Sequence, residues 1–133
     1  MGVETQGDYL MSYDIRLVEP VSGNTIEFDN KHEIKGGTYA IGGTTEAWLN
    51  ITYNYGKFYR EVYPKEGIRC VYGKSGAESI PMLEHMIKTL QLSYPEASTS
   101  SDYWDSCPGN ALVPLHQLIA MAKFRPDGIW EGD

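Results

Sequence analysis

Cysteine is nearly absent from the chain. Cys70 and Cys107 stand alone, with no C-x-x-C pair and no histidine at ligand spacing from either. That pattern offers none of the common zinc frameworks, and neither a metal nor a cofactor is expected. Long apolar runs are missing too: none approaches the ~20 residues that a membrane-spanning helix needs, so no membrane role is expected. Basic residues are the minority, 11 Lys and Arg against 18 Asp and Glu, for a net charge of −7. This disfavours direct, nonspecific binding to nucleic-acid phosphates, and any anion site must be local. The three histidines, His32, His85 and His116, stand at no recognisable spacing from a nucleophile. No catalytic triad can be assembled from them, and the chain is read as a non-enzyme, with a small hydrolase as the third reading after two binding roles. With no secretory leader in view, a reducing cytosol with both thiols free is expected, although sequence alone leaves a Cys70–Cys107 disulfide open.

What is present is the make-up of a self-sufficient soluble fold. A chain of 133 residues can bury about two-thirds of its unfolded surface without staples. Residues 1–12 are read as a flexible N-terminal extension and 13–133 as a single α+β domain. From Tyr13 to Val21 the pattern alternates Tyr13, Ile15 and Leu17 with Asp14 and Arg16, the period of a half-buried strand. Ser22-Gly23-Asn24 then reads as a turn, Thr25 to Phe28 as a returning strand, and the charged segment after it as a loop. Gly-Gly pairs frame a short strand, Thr38 to Ile41, and a longer one, Glu46 to Thr52.

The period then changes. Tyr55, Phe58, Tyr59 and Val62 stand at i, i+3, i+4 and i+7, one face of a short helix that Asn54 would cap and Pro64 would stop. A second helix carries the stripe Leu83, Met86, Ile87 and Leu90. Either Ser79 caps it, with Pro81 in its first turn, or Ser75 and Glu78 form a capping box and start it earlier. A third helix, with Asn110 as cap, carries Leu112, Leu115, Leu118, Ile119 and Ala122 and ends at Arg125-Pro126-Asp127-Gly128. The closing residues Ile129 to Asp133 read as a short strand or a Trp-anchored tail. Strands that precede helices predict the α+β class: an N-terminal antiparallel sheet followed by two main helices, plus one short helix, packed on one face.

Gly73-Lys74-Ser75 looks like the end of a phosphate-binding loop. The motif G-x-x-x-x-G-K-[ST] fails, because Gly67 lies one residue too far upstream and Ile68 to Tyr72 are too bulky to cradle phosphates. Two other groupings bear on ligands. Trp48, Asn50, Tyr53, Asn54 and Tyr55 lie where sheet passes into helix; Tyr and Trp can stack on a flat base, and Asn can read its edge. They also suit a core with Asn54 as a cap. Lys57, Arg60, Arg69 and Lys74 gather in one stretch of an otherwise acidic chain, either as an anion site completed by Ser75 or as a solvated face balanced by Glu61 and Glu66.

The segments KGGTYAIGGTTEAWLNITYNYGKFY, YGKSGAESIP and DYWDSCPGNALVPLHQLIAMAKFRPDGIWEGD together resemble a family of small uncharacterised proteins of bacteriophages and prophages. The resemblance runs from Tyr13 onward. It implies a setting, the bacterial host cytosol during infection, and no reaction. With the residue groupings it leads to the expectation of a non-catalytic phage accessory protein that counters host defence by binding. The first expectation is capture of a small anionic, nucleotide-like ligand by Trp48, Asn50, Tyr53, Asn54, Tyr55, Arg60, Arg69, Lys74 and Ser75, in a homo-oligomer because such pockets often lie between symmetric subunits. The alternative is an acidic protein–protein inhibitor that occupies a basic groove on a host nuclease or defence effector.

Overall fold

The structure, a computed structural model, describes residues 12–32, 43–102 and 105–133. The strand expected at Thr38 to Ile41 lies outside these residues, as does the N-terminal extension except for Ser12, which pairs with Thr52 inside the sheet. In chain order the elements are β1 (Ser12–Val18), β2 (Glu27–His32), β3 (Thr44–Glu46), β4 (Trp48–Thr52), a 3-10 turn (Tyr53–Tyr55), α1 (Gly56–Val62), a second 3-10 segment (Gly67–Val71), α2 (Gly76–Ser93), α3 (Pro108–Phe124) and β5 (Ile129–Gly132). This is the expected α+β class, with the C-terminal strand added to the sheet.

The alternation in β1 determines the two faces of the main sheet. Tyr13, Ile15 and Leu17 are buried, and Asp14 and Arg16 between them are exposed, because successive side chains of a strand point to opposite sides. β1 is the central strand of an antiparallel sheet in the order β4-β1-β5. Leu49 and Ile51 of β4 and Trp130 of β5 join its buried face, which packs on the stripes of α2 (Leu83, Met86, Leu90) and α3 (Leu115, Leu118, Ala122) in one core. Each fully buried Leu, Ile or Met contributes about 1.5–3 kcal/mol relative to an exposed position. Inside that core the Tyr59 hydroxyl donates to the Ala111 carbonyl at 2.8 Å, tying α1 to α3.

Several boundaries differ from the sequence expectation, each for a local reason. The segment expected as a loop after Phe28 continues as β2 to His32, since it pairs antiparallel with β3. The single strand expected from Glu46 to Thr52 divides at Ala47, where the chain changes partner: the Ala47 N–H donates to Ile26, and its carbonyl accepts from Leu17. Thr52, not Asn54, caps the turn that leads into α1, its hydroxyl accepting from the Asn54 N–H at 3.2 Å. α2 begins with the capping box: Ser75 Oγ accepts from the Glu78 N–H, and Glu78 Oε1 accepts from the Ser75 N–H. Ser79 is instead buried one turn into the helix. α3 starts at Cys107-Pro108 rather than Asn110, because the Asn110 side chain is taken up by the preceding loop, accepting from the Ser100 N–H and donating to the Asp102 carbonyl. Both cysteines are free thiols, and burial pushes the Cys70 thiol up to about 11.

Candidate functional site

The solvent side of the main sheet carries an open groove of about 520 Å³. Its floor comes from the outward positions of three strands, since Asp14 lies opposite Asn50, and Arg16 lies opposite Trp48 on one side and Glu131 on the other. Asp14 is the hub: its Oδ1 accepts from Trp48 Nε1 at 2.8 Å and from Asn50 Nδ2 at 2.9 Å, and its N–H donates to Asp133 Oδ1 at 3.0 Å. These bonds fix the half-buried Trp48 ring against the groove. Glu46, Glu131 and Asp133 complete an acidic lining in which Arg16 is the one cation, and Arg16 is already bonded to Glu131 at 2.6 Å.

A shallower groove adjoins it through Thr25 and adds Glu19, Glu27 and Asp127. Arg125 donates to both Glu19 and Asp127, and these bonds hold both carboxyls below their usual range. The two grooves thus gather seven carboxylates, with Arg16 and Arg125 the guanidiniums paired to them. The local surplus of five negative charges is most of the −7 of the whole chain.

A different chemistry lies at the edge of this face. The Arg69 guanidinium sits 5.0 Å from the Tyr13 ring centre and 5.6 Å from that of Tyr53, and the two rings pack 4.6 Å apart. Arg69 Nη2 donates to the Tyr53 hydroxyl at 2.9 Å, and Nε donates to the Asp133 main-chain oxygen at 2.8 Å. Arg60 of α1 stands on the same side, its Nη1 and the Tyr13 hydroxyl both flanking Gly56. Burial raises the pKa of that hydroxyl, and Arg60 and Arg69 oppose the shift. Gly56 and Gly67 make room for Arg60: a Cβ on Gly56 would stand 2.5 Å from the Tyr13 oxygen and 2.8 Å from Arg60 Nη1, and one on Gly67 would press on the Arg60 stem. Among the described residues, neither arginine pairs with a carboxylate side chain.

The nine residues expected to hold a ligand therefore divide. Arg60, Arg69 and Tyr53 converge on Tyr13. Trp48 lines the acidic groove, and the nearly buried Asn50 bonds to Asp14 in its floor. Tyr55 is buried in the core and cannot meet a ligand. Asn54 is exposed, and its carbonyl accepts from Ser106. Ser75 is committed to the capping box, and Lys74 stands exposed beside β5, its carbonyl accepting from the Trp130 N–H. Sequence reasoning missed Asp14, Glu46, Glu131 and Asp133; the polar half of the β1 alternation is the signal that marks Asp14 and Arg16. Among the described residues no group of His, Cys, Asp and Glu is placed to hold a metal ion, and no helix is long and apolar enough to cross a membrane. Compared with protein-family models, with curated proteins and with solved structures, the chain matches none.

Proposed function

We propose that the protein is a non-catalytic binding module whose acidic sheet face occupies a basic surface of a partner protein. One observation carries this reading: seven carboxylates converge on two adjoining grooves whose two arginines are already neutralised by pairing. Trp48 gives the main groove an aromatic wall. A lysine or arginine of the partner can lay its aliphatic stem on such a ring and direct its charge to the neighbouring carboxylates. Surfaces that normally hold nucleic-acid phosphates have this basic character, and the phage resemblance makes a host nuclease or defence effector in the bacterial cytosol the partner class.

Charge complementarity of this kind accelerates association and is weakened by salt. Immobilised protein, exposed to bacterial lysate at low salt, is expected to retain basic nucleic-acid-binding proteins, which excess duplex DNA or added salt then displaces. The variant Glu27→Lys/Glu46→Lys changes two exposed groove positions and is expected to lose these partners while keeping its circular dichroism spectrum. Retention of the same proteins by parent and variant, or of none by the parent, would refute the reading. Native mass spectrometry of the same preparation reads whether the module acts as a homo-oligomer.

A further inference from the structure

The arginine–tyrosine cluster at the edge of the acidic face remains outside that role. Arginine has only donors, so each hydroxyl it bonds must accept. Tyr53 accepts from Arg69, and the Tyr13 hydroxyl stands beside Arg60 where both flank Gly56. The Tyr53 hydroxyl therefore keeps its own proton to donate, and among the described residues no acceptor takes that proton or the one on Tyr13. The Tyr13 side chain is 3% exposed, so its proton has little access to bulk water. A third hydroxyl, that of Tyr72, is also buried and has no hydrogen-bond partner. Arg69 lies close enough to influence Tyr72, though outside hydrogen-bond geometry. Arg69 bonds through Nε and Nη2, which leaves the N–H groups of Nη1 for another acceptor.

Two guanidiniums thus approach one tyrosine with no carboxylate side chain between them, and the hydroxyl protons around them are unclaimed. Water answers the exposed part of this demand. The nearly buried Tyr13 residue and the buried Tyr72 hydroxyl lack that answer among the described residues. An oxyanion with several oxygens supplies what is missing: negative charge for Arg60 and Arg69, and acceptors for the tyrosine protons. Glycine at 56 and 67, where a Cβ would displace the Arg60 side chain or the Tyr13 hydroxyl, keeps this donor set in place before any ligand arrives.

We propose that Arg60, Arg69, Tyr13 and Tyr53 form a site for a phosphate group, either as inorganic phosphate or pyrophosphate or as the phosphate of a nucleotide. The site is separate from the acidic grooves, and its test does not depend on a protein partner. Isothermal titration at constant ionic strength would compare inorganic phosphate, pyrophosphate, AMP and sodium chloride. Saturable binding of pyrophosphate or AMP is expected, with no counterpart for chloride. Tighter binding of AMP than of phosphate would assign the nucleotide as the source, and equal binding would assign the free anion. Arg60→Gln, at an exposed position, is expected to weaken binding about tenfold or more, as a lost charge-assisted hydrogen bond does. Tyr53→Phe, which removes a donor and keeps the ring, is expected to weaken it several-fold. Both variants should keep the parent's circular dichroism spectrum, so a failure to fold cannot pass for a loss of binding. No binding of any phosphate species at about 10 mM, a level at which even a millimolar site would be mostly filled, would overturn the proposal, as would unchanged affinity in Arg60→Gln.

Discussion

Replacing Ser79 with alanine should destabilise the protein far more than loss of one hydroxyl on a helix suggests. Ser79 is fully buried, and its Oγ accepts from Trp130 Nε1 at 2.7 Å while donating to the Gly76 carbonyl at 2.8 Å. Trp130 has no exposed surface, so in Ser79→Ala its indole N–H loses its partner with no water to replace it. A buried unsatisfied donor costs about 1–3 kcal/mol, and about 2 kcal/mol is expected here. For 133 residues, an unfolding entropy of about 2.1 cal/mol/K per residue gives about 0.28 kcal/mol/K, so the melting temperature should fall by roughly 7 °C. Far-UV circular dichroism during thermal and urea unfolding would measure it. Trp130→Phe removes the donor itself and leaves the Ser79 hydroxyl on Gly76. In that background Ser79→Ala should therefore cost about 1 kcal/mol less than in the parent, the coupling expected of contacting residues. A Ser79→Ala cost below about 0.5 kcal/mol, or strict additivity of the two changes, would refute the reasoning.

Two further outcomes follow from the ends of the helices. Ser75→Ala should lower stability by about 1 kcal/mol, the worth of an N-cap, while leaving any phosphate affinity unchanged, because Ser75 serves the Glu78 N–H; paired unfolding and titration experiments check both halves. Arg125 lowers the pKa of Glu19 and of Asp127, in each case chiefly through its side-chain hydrogen bond. Their stabilising contribution is thus present above the ordinary carboxylate range and is lost as pH falls through the lowered folded values. Arg125→Gln should therefore melt below the parent at neutral pH, and the gap should narrow as pH drops under about 4; a gap that stays constant down to strongly acidic pH would contradict this assignment.

The features legible in the sequence are those that depend on near neighbours. The β1 alternation, the α2 and α3 stripes and the glycine turn at Gly23, with φ of 75°, are set by residues within one element or one turn. Caps are local too, but several residues compete for each, and the outcome depends on what else each side chain can reach. Asn110 has the chemistry of a cap, yet the Ser98–Asp102 loop offers it two partners, so the helix starts without it. The basic stretch suggested one anion site because its members are close along the chain. In the fold α1 and the second 3-10 segment bring only Arg60 and Arg69 to the same tyrosine, while Lys57 lies over the Phe58 ring and Lys74 stands by β5. Tyr13 and Asp133, which gather these arginines, come from opposite ends of the chain, and nothing in the local pattern announces that meeting.

Asp133 stands where the two chemistries meet, and its bonds show how a small fold holds opposite charges so near each other. Its Oδ1 accepts from the Asp14 N–H in the floor of the acidic groove, and its main-chain oxygen accepts from Arg69 at the edge of the tyrosine cluster. The side-chain carboxylate thus stays with the groove, and a main-chain oxygen of the same residue holds Arg69. On the groove side Trp48 and Asn50 orient Asp14 through neutral N–H donors, and its negative charge is left for an incoming cation. The groove carboxylate of Asp14 is therefore positioned by neutral donors, whereas the ion pairs of Arg16 and Arg125 tie up their own charges within the acidic face. That difference separates the charges that shape the face from those left to recognise a ligand or partner.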